Sequence, residues 1–324
     1  MGLGNIYQKL VLTSPWLEVA IRRIYWNNIK FLKKFRKHST ESHIKSPKTN
    51  IDFEKIINYL SDSGVGQNDL IVLHSSFSAI SGCGLSAEQI IDNILKLIGP
   101  DGTLAMPAIR EFPEEGEGEE YILNYIADKC KDRDTLYDIF KSKVSSGLLP
   151  FTLMRYDDAE ISKFPLNPLV AVGAHAYKMM EGNIEGDLPS AHGPNSSWAY
   201  CARQNAWNIG IGVGIKNYLT MFHITQETSD WPVKDEEWYF ERNFIIKKAK
   251  RENKIRIKER KHKWTKYFAE SNFYNDLHNA GVVKSTIIDG VEIHLCRSND
   301  LLAFISNQKN PTYPYHISRK YLKS

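Results

Sequence analysis

The sequence predicts an α/β protein, and three observations support that prediction. A buried apolar run, Leu70 to Leu73, is followed by an amphipathic segment, Ala87 to Ile98, and by a second apolar run, Thr103 to Pro107. Strand, helix and strand in this order form the unit from which parallel sheets are built. β-like runs return after position 237, and a basic amphipathic helix is predicted before position 38.

Residues 1–50 are predicted to be an appendage made of this basic helix and a polar linker. They carry ten Lys or Arg residues against two Glu residues. Such a helix can lie on an acidic membrane surface, or it can pack on the domain or on a second subunit. Packing on protein is the favoured interpretation, and both remain open on the sequence alone.

The predicted domain begins with a helix through Leu60, for which Asn50 or Asp52 supplies the N-cap. The first strand follows at Leu70 to Leu73, and Ser86 opens the next helix. Small polar residues lie between them, and backbone N–H groups between a strand end and a helix start can face an anion. A phosphate-bearing ligand is therefore the first hypothesis for residues 69–83.

The middle of the chain is predicted to be rich in loops. Short apolar runs and the positions of Gly and Pro residues indicate its elements. In order, they are a short helix near 119–129 beside a Glu-rich segment (111–120), a helix from Ser146 to about Tyr156, a strand at Val170 to Gly173, an irregular loop at 181–197, and a buried strand at Trp207 to Gly214.

Tyr218 to Gln226 is predicted to be helical, which places Thr220 and His223 on one face. Beyond position 237 the pattern changes to strands with two accompanying helices. The β-like runs are 243–246, 254–258 and 291–295, and the helices are near 270–280 and 298–307.

Composition excludes several classes of protein. No apolar stretch approaches the roughly 20 residues of a membrane span, and the N-terminus lacks the pattern of a signal peptide. The four cysteines are far apart and form no C-x-x-C pair, so no zinc site of the usual spacing is expected. A cytoplasmic protein is therefore expected, with peripheral contact at the inner membrane surface as an extension of that prediction.

Five short motifs follow one another in a fixed order, although each is weak alone. They are His74 to Ser78 (HSSFS), Gly99 to Pro107 (GPDGTLAMP), Ser146 to Pro150 (SGLLP), Gly193 to Ser197 (GPNSS), and Ile211 to Gly214 (IGVG) followed by Thr220 to His223 (TMFH). As an ordered series over roughly residues 52–310, they resemble the aminoglycoside 3-N-acetyltransferase family of the antibiotic N-acetyltransferase superfamily. That family has approximately H-S-S-x-S, G-P-x-G-T-L-x-M-P, M-G-x-L-P, S-P, and L-G-V-G with T-x-x-H.

The resemblance implies an α/β/α sandwich with a central mixed sheet, and direct transfer of an acyl group from acetyl-CoA, or another acyl-CoA, to an amine. It does not cover residues 1–50. The residue pattern itself predicts a β-rich C-terminal part and an N-terminal helical extension, and no metal is expected. The predicted organisation is an extension and linker at 1–50, an N-acyltransferase domain at 51–310 and a tail at 311–324.

Site residues are carried over from the motifs. Ser75 and Ser76 can also be ordinary turn residues, and His192 can be an incidental loop residue. The predicted cofactor-binding residues are His74, Ser75, Ser76, Phe77, Ser196 and Ser197, the predicted catalytic residues are His223, Glu259 and Glu227, and the predicted substrate-binding residues are His192 and Gln226.

His223 is the predicted general base. A histidine with a pKa near 6.5 can take the proton of an attacking amine near neutral pH. The family pairs this histidine with a later carboxylate, for which Glu259 is the first candidate and Glu227 the second. The alternative is that His223 is a histidine satisfied within the core.

Three positions depart from the family pattern and bear on the acceptor. Phe164 replaces the histidine of an H-P-x-x-S motif, Ala108 replaces a threonine, and Gln226 replaces a glutamate. The stretch 242–266 is strongly basic, which fits an anionic substrate, a membrane or nucleic acid, or a solvated hairpin face. The alternation of Lys254 to Lys258 favours the solvated face, and no nucleic-acid motif accompanies it.

The predicted function is an acyl-CoA-dependent N-acyltransferase acting on the amine of a small-molecule amino sugar, in surface polysaccharide biosynthesis. One alternative is an aminoglycoside 3-N-acetyltransferase, and another is a CoA-binding scaffold with weakened catalysis. No nucleic-acid partner is expected, and residues 1–37 are the segment expected to contact a membrane or a second subunit.

Overall fold

A computed structural model of the chain describes residues 10–35, 50–112, 130, 133–227 and 238–307. The predicted helix near 119–129 and the tail at 311–324 lie outside these residues, as does most of the Glu-rich segment.

The described residues form a seven-stranded mixed sheet with the strand order β4-β5-β2-β1-β6-β10-β9. β1 pairs in parallel with both β2 and β6, whereas β5 and β10 are antiparallel to their neighbours. The strands are β1 (Leu70–Ser75), β2 (Thr103–Pro107), β4 (Glu160–Ile161), β5 (Leu169–Gly173), β6 (Trp207–Ile211), β9 (Lys284–Ile288) and β10 (Val291–Arg297), with β3 given below.

Helices cover both faces of this sheet, so the predicted α/β/α sandwich is confirmed. The alternation along β1 shows why, since Ile71 and Leu73 enter one apolar core while Leu70 and Val72 enter the other. The helices are α1 (Pro15–Phe35), α2 (Phe53–Asp62), α3 (Phe77–Ile80), α4 (Ala87–Ile98), α5 (Leu148–Leu153), α6 (Ala176–Met180), α7 (Ser197–Arg203), α8 (Glu270–Asn279) and α9 (Ser298–Asn307). In the described part of the chain, four segments are 3₁₀ helices: Ser81–Cys83, Ile215–Asn217, Thr220–Glu227 and His262–Tyr267.

The capping predictions are confirmed at two helices. Asp52 accepts from the backbone of Glu54 at the start of α2. Ser86 and Gln89 form a reciprocal capping box at the start of α4.

A second, three-stranded sheet supplies the β-rich part. It has the order β3-β7-β8, with β3 (Asp134–Asp138) parallel to β7 (Tyr239–Lys248) and β7 antiparallel to β8 (Arg251–Arg260). The predicted hairpin is confirmed, but β3 lies in a stretch predicted to be loop. Tyr137 of β3 is fully buried, and its hydroxyl donates to the carbonyl of Ser162.

The segment after β1 differs from the prediction of a polar loop between strand and helix. Ser75 still belongs to β1, and the four-residue helix α3 begins two residues later. The backbone N–H of Ser76 donates to the carbonyl of Ile211 at 3.1 Å. That N–H is therefore already paired within the fold, and contact of the rest of this stretch with a phosphate-bearing ligand stays a prediction.

Helix α1 packs on the domain through a buried carboxylate. Glu18 accepts from the backbone N–H groups of Ser271 and Asn272 at 2.8 and 3.0 Å, and from the Asn272 side chain at 2.7 Å. It thereby caps α8, whose own N-cap residue, Ala269, supplies no side-chain bond. Within the described residues, no helix has the length and apolar character needed to cross a membrane.

Replacing Glu18 tests this docking. Glu18→Ala leaves buried N–H donors at the start of α8 without their acceptor, so the free energy of unfolding should fall by about 1–3 kcal/mol. Urea denaturation measures the change, with Glu181→Ala on an exposed carboxylate as the matched control. Equal unfolding midpoints for the two variants would contradict the capping role.

Candidate active site

The site is built where β1 and β6 end side by side. Ser75 at the end of β1 is in register with Ile211 at the end of β6. Gly212 then takes a positive φ of 69°, and a Cβ there would lie 2.7 Å from the Cβ of Ala79. Close packing against α3 therefore accounts for a glycine at position 212.

The predicted cofactor-binding residues at the end of β1 differ in exposure. Ser75, Ser76 and Phe77 are half-buried, and the hydroxyl groups of Ser76 and Ser78 lie 3.1 Å apart. His74 is buried, which lowers its pKa to about 4 by desolvation and keeps the ring neutral. Ser75, Ser76 and Phe77 are therefore the members of this group that a ligand could reach.

Ser196 and Ser197 lie at the start of α7 and are both buried. Ser196 is the N-cap, and its hydroxyl accepts from the backbone N–H of Ala199 at 3.1 Å. This hydrogen bond gives Ser196 a structural role. Contact of Ser196 and Ser197 with CoA stays a prediction.

A series of aromatic rings connects the end of β1 with His223. The ring centroids of His74 and Trp198 are 6.0 Å apart, those of Trp198 and His192 are 5.7 Å apart, and those of His192 and His223 are 5.2 Å apart. Trp198 is fixed by a hydrogen bond from its indole N–H to the carbonyl of Asn167. Trp198 and His192 thereby link the two predicted groups of site residues, although about 150 residues separate them in the chain.

His223 lies in the 3₁₀ segment Thr220–Glu227 and is half-buried. Its Nδ1 lies 2.8 Å from Oε1 of Gln226. Arg260 of β8 donates from Nη2 to His223 Nε2 at 2.9 Å, while its Nη1 contacts His223 Nδ1 and donates to Gln226 Oε1 at 2.6 Å. The predicted base is thus held by a predicted substrate residue, Gln226, and by an arginine that the sequence did not single out.

His192 belongs to the loop between α6 and α7, but it is buried. Desolvation, followed by the nearby charge of Arg260, lowers its pKa well below the ordinary value. Its Nε2 is buried and has no hydrogen-bond partner within the described residues. The neutral ring therefore forms a wall beside His223.

Glu227 is a carboxylate of the same region. It accepts hydrogen bonds from the hydroxyl groups of Ser190 at 2.6 Å and Tyr239 at 2.8 Å. Burial raises its pKa, although these two bonds and the charges of Lys258 and Arg260 act in the opposite direction.

Glu259 is buried, and its ion pair is with Arg242 of β7 at 3.0 Å. Arg242 is almost fully buried, donates to Thr135 Oγ1 at 3.2 Å, and lies over the rings of Phe112 and Phe244. This pair joins the strands of the small sheet. The role of Glu259 as partner of His223 remains a prediction.

A cavity of about 80 Å³ lies against these residues. Backbone contacts between the 189–190 loop and Lys258 bring the hairpin to it, because Lys258 N–H donates to the carbonyl of Pro189. The wall contains His192 and Arg260 and, among the described residues, does not contain His223. It is formed by Ile109, Arg110, Phe112, Pro165, Leu166, Asn167, Ala191, His192, Glu227, Lys258, Glu259 and Arg260.

Of the three positions that depart from the family pattern, two lie in the apolar core and one lies at the site. Ala108 and Phe164 are both buried in the apolar core, whereas Gln226 contacts His223.

Three residues of the site were missed by sequence reasoning: Arg260, Arg242 and Trp198. Arg242 and Arg260 belong to a basic stretch whose alternation predicts a solvated face. Only the pairing of β7 with β8 distinguishes them from the exposed Lys and Arg residues of that stretch.

No group of three or more His, Cys, Asp or Glu residues that could hold a metal ion occurs in the described part of the chain. The site consists instead of histidine, carboxylate, amide and guanidinium groups around one cavity.

Comparison with known proteins agrees with the motif series. A family model described as aminoglycoside 3-N-acetyltransferase matches residues 72–308. Aminoglycoside N(3)-acetyltransferase IX of Micromonospora chalcea is 22% identical over 182 residues, and aminoglycoside N(3)-acetyltransferase VIII of Streptomyces fradiae is 25% identical over 191 residues. The aligned segments cover 53% and 56% of this chain, but only 60% and 62% of those relatives.

Solved structures show the same fold. AAC-IIIb, in a binary complex with CoASH, superposes with a TM-score of 0.62 at 16% identity, over 79% of this chain and 97% of that chain. AAC-VIa, bound to sisomicin, superposes with a TM-score of 0.61 at 16% identity, over 80% of this chain and 96% of that chain.

The buried histidines predict a pH dependence of stability. His74 is neutral in the folded protein below the pH at which an unfolded histidine gains its proton, so stability should be lost as the pH falls from about 6.5 toward 4. His74 alone should lower the free energy of unfolding by about 2 kcal/mol between pH 7 and pH 5. Urea denaturation at the two pH values should show a smaller loss for His74→Phe than for the wild type. The exposed His278→Gln should retain the wild-type difference, and an unchanged difference in His74→Phe would contradict the prediction.

A second prediction separates structure from catalysis at Glu259. Glu259→Gln removes the carboxylate that faces the buried Arg242, so the free energy of unfolding should fall by about 3–5 kcal/mol. The double variant Arg242→Met/Glu259→Met should recover most of that loss, because neither charge then remains buried. A Glu259→Gln protein with wild-type stability in chemical denaturation would assign no structural role to the pair.

Proposed function

The chain belongs to the aminoglycoside 3-N-acetyltransferase family, and we propose that it transfers an acetyl group from acetyl-CoA directly to an amine of an aminoglycoside or a related amino sugar. The observation that carries this proposal is His223 in the matched segment, held beside a cavity lined by His192, Glu227 and Arg260. The surface-polysaccharide role predicted from the sequence gains no support from the relatives.

The donor would lie along the end of β1. A CoASH complex in the family's fold supports acetyl-CoA as the donor. Three half-buried residues there could contact the donor directly: Ser75, Ser76 and Phe77. The buried His74 and Ser196 would support the donor site from beneath its surface. This division refines the predicted cofactor-binding group.

The chemistry is a direct acyl transfer by addition of the amine to the thioester and elimination of CoA. The amine nitrogen bonds to the acetyl carbonyl carbon, and the carbon–sulfur bond breaks. His223 accepts the proton that the amine loses and returns it to the leaving sulfur, so that CoA departs as the thiol. Backbone N–H groups are the expected donors to the oxyanion.

The relatives' names and complexes support an aminoglycoside as the acceptor, since AAC-VIa is bound to sisomicin. Of the two carboxylates in the cavity wall, Glu259 is paired with Arg242, so Glu227 is the one proposed to face an ammonium group of such a compound.

Two departures from the family pattern, Ala108 and Phe164, motivate the scaffold alternative. Both side chains lie in the apolar core, and neither is among the residues that line the cavity. Their identity therefore supplies no reason to expect weakened catalysis, which favours the enzyme.

An assay of CoA release tests the proposal. Purified protein with acetyl-CoA and a thiol reagent should release CoA only when sisomicin, apramycin or an amino sugar is added. His223→Ala should lower turnover by at least about 100-fold, since general-base catalysis contributes about 10²–10⁴-fold. His278→Ala, at an exposed position of α8, is the control that should leave turnover unchanged. Unchanged turnover in His223→Ala would remove the histidine from the mechanism.

A further inference from the structure

The outer side of helix α1 carries an exposed apolar stripe. Trp16, Ala20 and Ile24 are spaced four residues apart, so they lie along one side of the helix. Trp16 is 40% exposed and Ile24 is 65% exposed. The side of α1 that docks on the domain is instead marked by the buried Glu18 and Ile29. The helix is therefore apolar on two sides, of which only one contributes to the fold.

Exposed large hydrophobic side chains are concentrated in this part of the chain. Among the described residues there are twelve, and five of them lie between positions 10 and 25. These five are Leu10, Leu12, Trp16, Ile24 and Tyr25. Single exposed apolar residues are ordinary on a protein surface, whereas a group of them on one segment indicates a binding surface.

Two basic stretches of the sequence meet at α1. Residues 22–37 contain seven Lys or Arg residues and no Asp or Glu, and residues 258–266 contain five Lys or Arg residues against one Glu. The structure joins them, because Arg22 donates to the carbonyl of Thr265 at 3.2 Å and the guanidinium of Arg23 lies 5.5 Å from the ring centre of Tyr267. The apolar stripe is thus placed where the positive charges of both stretches come together.

The carboxylates that belong to this region are engaged within the fold. Glu18 is buried and accepts hydrogen bonds at the start of α8. Glu270 is paired with Arg22 at 3.0 Å and lies 3.6 Å from Lys216. They therefore do little to offset the positive charge that the two basic stretches bring to this surface.

The charge decides between the partners that could cover the stripe. A second copy of the chain would bring the same positive charges to the interface, and like charges oppose such pairing. An anionic lipid surface offers both complements, because apolar side chains can enter the boundary between headgroups and acyl chains while Lys and Arg remain at the lipid phosphates. Tryptophan is enriched at that boundary.

We propose that the stripe formed by Trp16, Ala20 and Ile24 binds the surface of an anionic bilayer, with α1 lying in the plane of the headgroups. Because Glu18 fastens α1 to the domain, binding would bring the whole domain to the lipid surface. The inference is independent of the proposed acetyltransferase function, since none of these residues lines the cavity.

Sedimentation with lipid vesicles tests the proposal. The full-length protein should bind vesicles of mixed phosphatidylglycerol and phosphatidylcholine at least about 10-fold more tightly than vesicles of phosphatidylcholine alone, since each Lys or Arg near an anionic surface contributes about 1 kcal/mol. Added KCl should weaken this binding, because salt screens the attraction. Equal affinity for the two kinds of vesicle, or binding to neither, would overturn the inference.

A matched pair of variants tests the stripe itself. Ile24→Glu should lower the affinity for the anionic vesicles by about 10-fold or more, because burying an isoleucine side chain contributes about 1.5–3 kcal/mol. Ile287→Glu makes the same change of charge at an isoleucine of β9 that is 67% exposed, and it should bind like the wild type. Adding Trp16→Glu to Ile24→Glu should weaken binding further. If Ile24→Glu binds as tightly as Ile287→Glu, the stripe is not the lipid-binding surface.

Two further measurements complete the test. Both isoleucines are exposed, so urea denaturation should give Ile24→Glu and Ile287→Glu the unfolding midpoint of the wild type. Light scattering without lipid should give the same molecular mass for the wild type and for Ile24→Glu. A wild-type dimer that Ile24→Glu dissociates would assign the stripe to a second copy of the chain and contradict the proposal.

Discussion

The arrangement of the molecule depends on one strand, β1, which is buried on both faces and paired in parallel on both edges. Because alternate residues of Leu70 to Leu73 enter opposite apolar cores, helices must cover both sides of the sheet. The parallel pairing with β6 also places the ends of the two strands together. Segments that are remote in sequence therefore meet at one edge, as ligand sites of α/β sheets commonly do.

A second constraint is the burial of charge beneath the hairpin. Arg242 and Glu259 are paired inside the small sheet, and this pairing settles which face of β8 each neighbour occupies. With Glu259 turned inward, Lys258 and Arg260 project to the opposite side of the strand, where Arg260 reaches His223. The same alternation that stabilises the sheet thus brings a guanidinium to the imidazole.

The fold could be predicted where local signals were strong. Ser86 predicts the start of α4, and the apolar run from Leu70 to Leu73 predicts β1, because helix caps and hydrophobic periodicity are local properties of the sequence. β3 could not be found in this way, since its partner β7 lies about a hundred residues later in the chain.

The site was predictable only through the ordered motifs. They identify His223 and the end of β1, which the rings of Trp198 and His192 connect in the structure. The motifs do not identify Arg260, because a positive charge predicts exposure and its contact with His223 depends on the pairing of β7 with β8. The roles of the individual residues remain predictions that the proposed variants examine.

The cap that Glu18 places on α8 has a consequence for the order in which the chain folds. The hydrogen bond from Ser271 to Glu18 spans 253 residues, so α1 cannot dock until most of the protein has been synthesised. At ribosomal rates of about 5–20 residues per second, α1 waits roughly 10–50 s with Val19 and Ile29 uncovered. The nascent chain therefore carries an unpartnered amphipathic helix through most of its synthesis. Closure of the N-terminal part onto α8 is then among the last steps of folding, because it closes a loop of 253 residues.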